Sequence, residues 1–279
     1  MNSFADSDSH LAEAGAYSTS VVIGGLPIGI QSSNRGFIAM LENRYAGFLD
    51  EPVGGGILLD VEVVASVSDS DGAEEDIQVR YADGRWHINR GDFRAQWDPA
   101  SRRGRVRQAA YPYAIDTVMR IVHSLVLAER GGFLVHSASV VRNGRAFLFS
   151  GISGAGKTTI SRLAPADATL LTDEISYVRR AGDIYEACGT PFAGDLGKPG
   201  ENIAAPLAAF YLLVQGPHNH VASIAPAQAA RRLLRNILFF ADDAGLVEQM
   251  FRTACEFVSR VPVYELTFRP DTEVWNLIA

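Results

Sequence analysis

Alternation of apolar and polar positions dominates the first hundred residues, and helical spacing interrupts it once. Residues 21–30 read as a strand broken by Gly24-Gly25 and Pro27. Phe37, Ile38, Met40, Leu41, Tyr45 and Phe48 then recur at helical spacing, which predicts an amphipathic helix over 35–49. A turn at 50–56, a strand-like run at 57–67 and an acidic, Ser-rich turn at 68–75 follow. Short runs at 77–81, 85–89, 93–97 and 105–109, separated by Asp83-Gly84, Arg90-Gly91 and residues 101–104, predict an antiparallel meander. Residues 1–19 show no sustained period and are expected to be a disordered tail, with 20–110 a small α/β domain and 111–279 a second domain.

In the second half, Ile115, Val118, Ile121, Val122, Leu125 and Val126 share a face, so 113–130 is predicted helical with Gly131-Gly132 as its stop. A hairpin is expected over 175–187 and strands at 208–214, 221–224 and 261–268. Helices are predicted over 227–240, with Pro226 at its first position, and over 241–260, and a closing helical turn at 272–279 carries Trp275. Between these lies a Gly- and Pro-rich stretch, 188–202, long enough to act as a substrate-facing lid, with Gly194, Asp195 and Lys198 as its candidate residues.

One stretch carries chemistry. Gly151-Ile152-Ser153-Gly154-Ala155-Gly156-Lys157-Thr158-Thr159 fits the phosphate-binding loop, preceded by an apolar run at 146–150 and followed by a possible helix at 158–163. The glycines let backbone N–H groups approach phosphate oxygens, Lys157 suits the β- and γ-phosphates, and the Thr158 hydroxyl suits Mg²⁺. Asn143-Gly144 separates the run at 135–141 from that at 145–150, the signature of a two-residue hairpin. With Arg142 facing Arg145, counting outward places His136 opposite Gly151. The short apolar run at 168–172 ends in Asp173-Glu174, the form of a strand that delivers acidic groups to a metal.

Residues 134–141, the Asn-Gly turn, the loop at 151–159 and Leu170-Leu171-Thr172-Asp173-Glu174 together resemble HPr kinase/phosphorylase, a family whose fold is related to phosphoenolpyruvate carboxykinase. The resemblance covers 131–177, implies a mixed-sheet phosphate-loop kinase domain, and points to divergent members, some of which accompany peptide natural-product pathways. It implies ATP- and Mg²⁺-dependent phosphorylation of a serine hydroxyl in a peptide or protein, with His136 and Asp173 near the reacting group and assembly into oligomers. On that footing Asp173 accepts the hydroxyl proton, His136 orients it, and Thr158 with Asp173 and Glu174 holds the metal. A small-molecule kinase, a bifunctional kinase/phosphorylase and a non-catalytic nucleotide-binding regulator remain the alternatives. The chain has Asp-Glu where the family has two aspartates, and it lacks the family's downstream Gly-rich signature.

Composition narrows the rest. A net charge of −7 and a pI near 5.4 argue against nucleic acid or an anionic membrane as partner. Cys188 and Cys255 have no metal-ligand spacing and are expected to be buried thiols, and the N-terminus has no secretory pattern, so the expected location is the cytoplasm. Arg102, Arg103, Arg105 and Arg107 read first as a solvated hairpin, Trp86 and Trp97 as core, and His87 and His123 as structural. Arg231, Arg232 and Arg235 read as a solvated helix face, or as charges near a transferred phosphoryl group.

Overall fold

The computed structural model describes residues 17–51, 56–67 and 76–278. The tail over 1–16, the acidic turn at 68–75 and residues 52–55 of the turn before it lie outside the described residues. Two mixed sheets, richer in strand than in helix, make up the fold.

Residues 17–19, expected in the tail, already belong to β1 (Tyr17–Ile23), which pairs with β2 (Leu26–Ser32) as far out as Tyr17 opposite Ser32. The apparent broken strand is therefore a hairpin, with Gly24 and Gly25 at φ of 58° and 78°, the left-handed geometry of a two-residue turn. Helix α1 (Arg35–Arg44) starts where the Asn34 side chain accepts the Phe37 N–H at 2.9 Å. It ends at Tyr45 rather than at 49, and a 3₁₀ turn at Ala46–Phe48 carries Phe48 into the core. Strand β3 (Ile57–Val64) lies parallel to β2 and to β7 (Arg103–Ala109), while β4 (Gln78–Ala82), β5 (Arg85–Arg90) and β6 (Phe93–Asp98) complete an antiparallel run ending at β7. An even number of chain reversals after β3 returns β7 to its direction, so the predicted meander gains a parallel edge. In β7, Gly104, Val106 and Gln108 face inward and Arg103, Arg105 and Arg107 face solvent. The basic cluster is thus the outer face of a sheet. Trp86 and Trp97 are buried cross-strand partners.

Helix α2 (Pro112–Glu129) opens on proline and is buried along most of its length. It lies between the sheets: one continuous core runs from the first sheet and α1 through α2 to Leu134, Ile175, Tyr177, Cys188 and Phe192 of the second half. Asp116 in its first turns accepts hydrogen bonds from Arg44 Nε at 3.1 Å and from the Tyr45 hydroxyl.

The second sheet centres on β8 (Phe133–Arg142) and β9 (Arg145–Ser150), joined by Asn143 and Gly144 at φ of 52° and 71°. Arg142 pairs with Arg145 and Ser137 with Ser150, so the register extends to His136 beside Gly151. Strands β11 (Ile175–Ala181), β12 (Ile184–Cys188) and β13 (Ala204–Gln215) link β8 back to β9, so the pairings β8–β11–β12–β13–β9 close on themselves. The edge strands are β10 (Thr169–Thr172) and β14 (His220–Ser223), with β15 (Val263–Phe268) between β13 and β14. Helices α4 (Pro226–Leu234) and α5 (Ala244–Arg260) cover one face, around Phe133, Phe210 and Phe257, and α3 (Lys157–Arg162) with the closing 3₁₀ turn covers the other, around Phe149 and Trp275.

The helix predicted over 227–240 stops at Leu234, and after a turn at 235–236 the chain bridges β8 at Ile237. Backbone groups of 236–238 pair with β8, His136 N–H to Asn236 O at 2.8 Å and Leu238 N–H to Leu134 O at 2.9 Å, while Ala241 bridges to Val79 of the first sheet. Leu238, Phe239 and Phe240 pack against the core shared with that sheet and Ile237 and Phe239 against the second, a two-sided burial that one helical face does not supply. Helix α5 accordingly starts at 244, not 241, on an Asp243 cap. No helix among the described residues is long and apolar enough to cross a membrane.

Candidate active site

The second sheet splits along β8, and the split makes the site. From Ser137 onward β8 lies between β9 and β10, and before that point its neighbours are residues 236–238 and β11. On one edge the phosphate loop leaves β9 where the partner changes. On the other edge Asp173-Glu174 fills the step between β10 and β11, with the Ser137 N–H donating to Glu174 O at 3.1 Å. His136 sits at the pivot between them.

The loop has the form its sequence requires. Gly154 and Gly156 take φ of 79° and 106°, and a Cβ on Gly156 would lie 2.5 Å from the Phe268 ring. Lys157 is buried and its ammonium turns back on the loop, donating to Gly151 O at 3.2 Å and Ile152 O at 3.5 Å. Burial lowers its pKa, and the nearby carboxylates of Glu174 and Asp195 oppose that shift. An ammonium bonded only to two loop carbonyls at long distance suits an incoming phosphate. Ser153 is exposed at the loop, Ala155 is buried in the core beneath it, and Thr159 lies within α3.

Asp173 and Glu174 take different surroundings. The Asp173 carboxylate is buried and accepts the N–H groups of Gly194 and Leu196, each at 2.8 Å, so both oxygens are used to hold the 194–196 turn. Glu174 lies beside the imidazole, with Oε1 3.8 Å from His136 Nε2. Burial lowers the His136 pKa, Lys157 and Arg120 lower it further, and Glu174 raises it. The Thr158 hydroxyl donates to Asp195 Oδ2 at 3.4 Å, so the oxygen donors brought together beside the loop are those of Thr158 and Asp195. Among the described residues no three His, Cys, Asp or Glu side chains cluster as a metal site.

The stretch at 188–202 is less free than its composition suggests. Thr190 N–H donates to Leu171 O and Glu201 N–H to Leu170 O, while Gly200 packs so closely on the Leu171 carbonyl that a Cβ would lie 1.7 Å from it. Only its middle projects, latched by Asp173, and Lys198 in that middle is exposed. Gly194 admits the acidic pair: a Cβ there would meet Glu174 Oε2 at 2.8 Å and Asp173 Oδ2 at 2.9 Å.

A cavity of about 530 Å³ opens beside the loop, lined by 151–155, by Leu212 to Gln215 at the end of β13, and by Arg232, Arg235 and Asn236. Arg232 is paired with Glu265 at 2.6 Å. Arg235 makes no ion pair among the described residues, and Arg231 is exposed away from the cavity. Sequence periodicity placed these arginines on a helix, but only the end of α4 aims Arg235 at the loop. Arg120 was missed: its signal is the i, i+4 pair Asp116 and Arg120 within an otherwise apolar run.

The remaining candidates fall outside the site. His123 is fully buried against the edge of Tyr177, with burial bringing its pKa down to about 3. His87 lies on the first sheet near Gln96. Cys188 is buried, its thiol pushed up to about 11, whereas Cys255, expected to be buried, is exposed on α5.

No curated protein matches the chain. The resemblance to HPr kinase/phosphorylase rested on one hairpin, its loop and one acidic pair, features that any short strand–loop–helix phosphate site can share. A family model covering 112–279, more than half of the chain, overturns it, because the family is a different one. That match begins at the first residue of α2 and takes in every element around the split in β8; the chain belongs to the family of the SynChlorMet cassette protein ScmC.

Proposed function

We propose that the protein is a phosphotransferase of the phosphate-loop kinase type that moves the γ-phosphate of ATP, with Mg²⁺, to a hydroxyl, most simply a serine of a peptide or protein. The observation that carries this reading is the convergence at one break in β8 of Lys157 and its loop from one edge and the His136–Glu174 pair from the other.

In this reading the loop amides and Lys157 hold the β- and γ-phosphates, and Arg235 faces the transferred group across the cavity. His136, neutral because burial and two neighbouring cations disfavour its charged form, takes the proton of the acceptor hydroxyl. The acceptor oxygen bonds to the γ-phosphorus as the bond to the β-phosphate oxygen breaks, and ADP leaves. Glu174 stabilises the imidazolium formed. Asp173, whose oxygens are both taken, positions the 194–196 turn and with it Asp195, in place of the base role expected from sequence. Thr158 and Asp195 are the hard oxygen donors that suit Mg²⁺, which is commonly held by one or two carboxylates together with substrate phosphates. When bound, that ion would neutralise phosphate charge.

Incubation of the full chain with labelled ATP and serine peptides, followed by mass spectrometry, tests the reading. Addition of one phosphate to the peptide, abolished by Lys157→Ala, is the expected result. Nucleotide binding without transfer to any peptide or small hydroxyl compound would instead favour a nucleotide-binding regulator.

A further inference from the structure

Helix α2 brings to the site one cation, Arg120, whose hydrogen-bond donors the reaction above leaves unused. Arg120 stands one turn after Asp116, whose carboxylate is already taken by Arg44 and Tyr45. Its guanidinium lies over the Phe192 ring, 4.6 Å from the centroid, at the base of the latched 194–196 turn. Its Nε is enclosed without a partner, and the side chain makes no hydrogen bond or ion pair among the described residues. Asp116 and Glu174 act on it only through space, and burial lowers its pKa. A guanidinium with one donor enclosed and unsatisfied, and no protein partner on the others, is unfavourable in the free protein, and it becomes favourable when an anion fills the gap.

The position of that gap identifies the anion. Lys157 reaches His136 from the loop, whose Ala155 packs in the core around Phe149, whereas Arg120 reaches it from α2 and lies on Phe192 in the core shared with the first sheet, so the two cations approach the imidazole from different elements. Nucleotide phosphates belong on the Lys157 side, and what meets Arg120 belongs to the acceptor. A planar cation stacked on an aromatic ring, with its edge free, matches a carboxylate in a bidentate pair. Resting on the phosphotransferase reading, we propose that Arg120 binds a carboxylate of the acceptor, so that the substrate is an acidic hydroxyl compound. In a peptide that carboxylate comes either from an Asp or Glu beside the serine or from the C-terminus.

Three serine peptides decide between the sources: one with acidic neighbours and an amidated end, one with Gln neighbours and a free C-terminal carboxylate, and one with neither. The full-length protein with ATP and Mg²⁺ is expected to show a KM about tenfold or more lower for one of the first two than for the third. Arg120→Gln should erase that preference while leaving nucleotide affinity unchanged, and Arg120→Lys, which keeps the charge without the fork, should restore part of it. Preference that survives in Arg120→Gln, or no preference in the wild type, overturns the proposal.

A melting experiment separates this failure from failure of the kinase reading should no peptide be phosphorylated. Glutarate should raise the melting temperature of the wild type but not that of Arg120→Met, and ligand-free Arg120→Met should melt no lower than wild type. A wild type indifferent to glutarate, or a ligand-free Arg120→Met that melts lower, would show Arg120 to be structural.

Discussion

Single residues set the chemistry through small differences in what surrounds them. Asp173 and Glu174 are adjacent carboxylates, yet one is sealed against two backbone N–H groups and the other stands beside an imidazole. Glu174→Gln therefore tests the base. In the proposed reaction His136 works only as neutral imidazole, so activity is expected above its folded pKa and should be lost as pH falls through it. That pKa lies below the ordinary histidine value, which leaves turnover flat near neutrality and places its acid limb below about pH 6.5. Glu174 is the group that raises the pKa, so the variant should move the acid limb to lower pH and reduce kcat by roughly 10²-fold, with nucleotide affinity unchanged. An unshifted limb with full kcat would remove Glu174 from the reaction. At this scale much was legible: the loop glycines, Lys157 and Thr158 follow from their motif, and His136 from counting along a hairpin whose turn sequence fixes its register. The division between Asp173 and Glu174 was not, because the amides that engage Asp173 come from residues 194 and 196, far along the chain.

Elements place those residues by exchanging partners. Strand β8 keeps one direction while its neighbours change at Ser137, and both changes are invisible to periodicity because the strand itself is regular. The same blindness explains 236–238: an apolar run beside a helix reads as more helix until a second core claims its other side. It also explains 188–202, where glycines that read as freedom let the backbone approach Leu171. The 194–196 turn is joined to the acidic pair through one carboxylate, that of Asp173. Asp173→Asn keeps one acceptor but turns an NH₂ toward a backbone N–H, so one latch bond is lost and a donor faces a donor. Amide exchange across 193–198 should speed up, and transfer should fall as Asp195 leaves Thr158, while the binding of ADP without metal stays near the wild-type value. Protection in 193–198 equal to that of the wild type would show that the turn does not depend on Asp173.

At the scale of the molecule, the unit that matches the ScmC family has two cores of its own and shares its third with the first sheet. The match begins at α2, yet α2 buries Ile115, Val118, Met119 and Val122 in a core continued by Val21, Ile28, Phe37, Leu59 and Phe93 of the first sheet and α1. Arg44 and Tyr45 close over Asp116, and Arg179 Nη1 donates to Gly24 O at 2.8 Å while Tyr177 packs under the same turn. Residues 236–241 tie the sheets a second time through Val79. Sequence composition shows two runs of elements and suggests two units, because nothing in a linear pattern records which apolar faces meet. A chain cut to 112–279 would keep the loop, the acidic pair and α2, but would expose the apolar face of α2 and leave the Asp116 carboxylate without its cation. At about 1.5–3 kcal/mol for each apolar side chain withdrawn from water, losing the partners of that face removes an amount comparable to the roughly 5–15 kcal/mol by which a domain is stable. The fragment should therefore aggregate or melt without a cooperative transition and bind nucleotide poorly, whereas the full chain melts as one unit in circular dichroism. A fragment with a sharp transition and wild-type nucleotide affinity would mean that the first sheet is dispensable to the fold of the site.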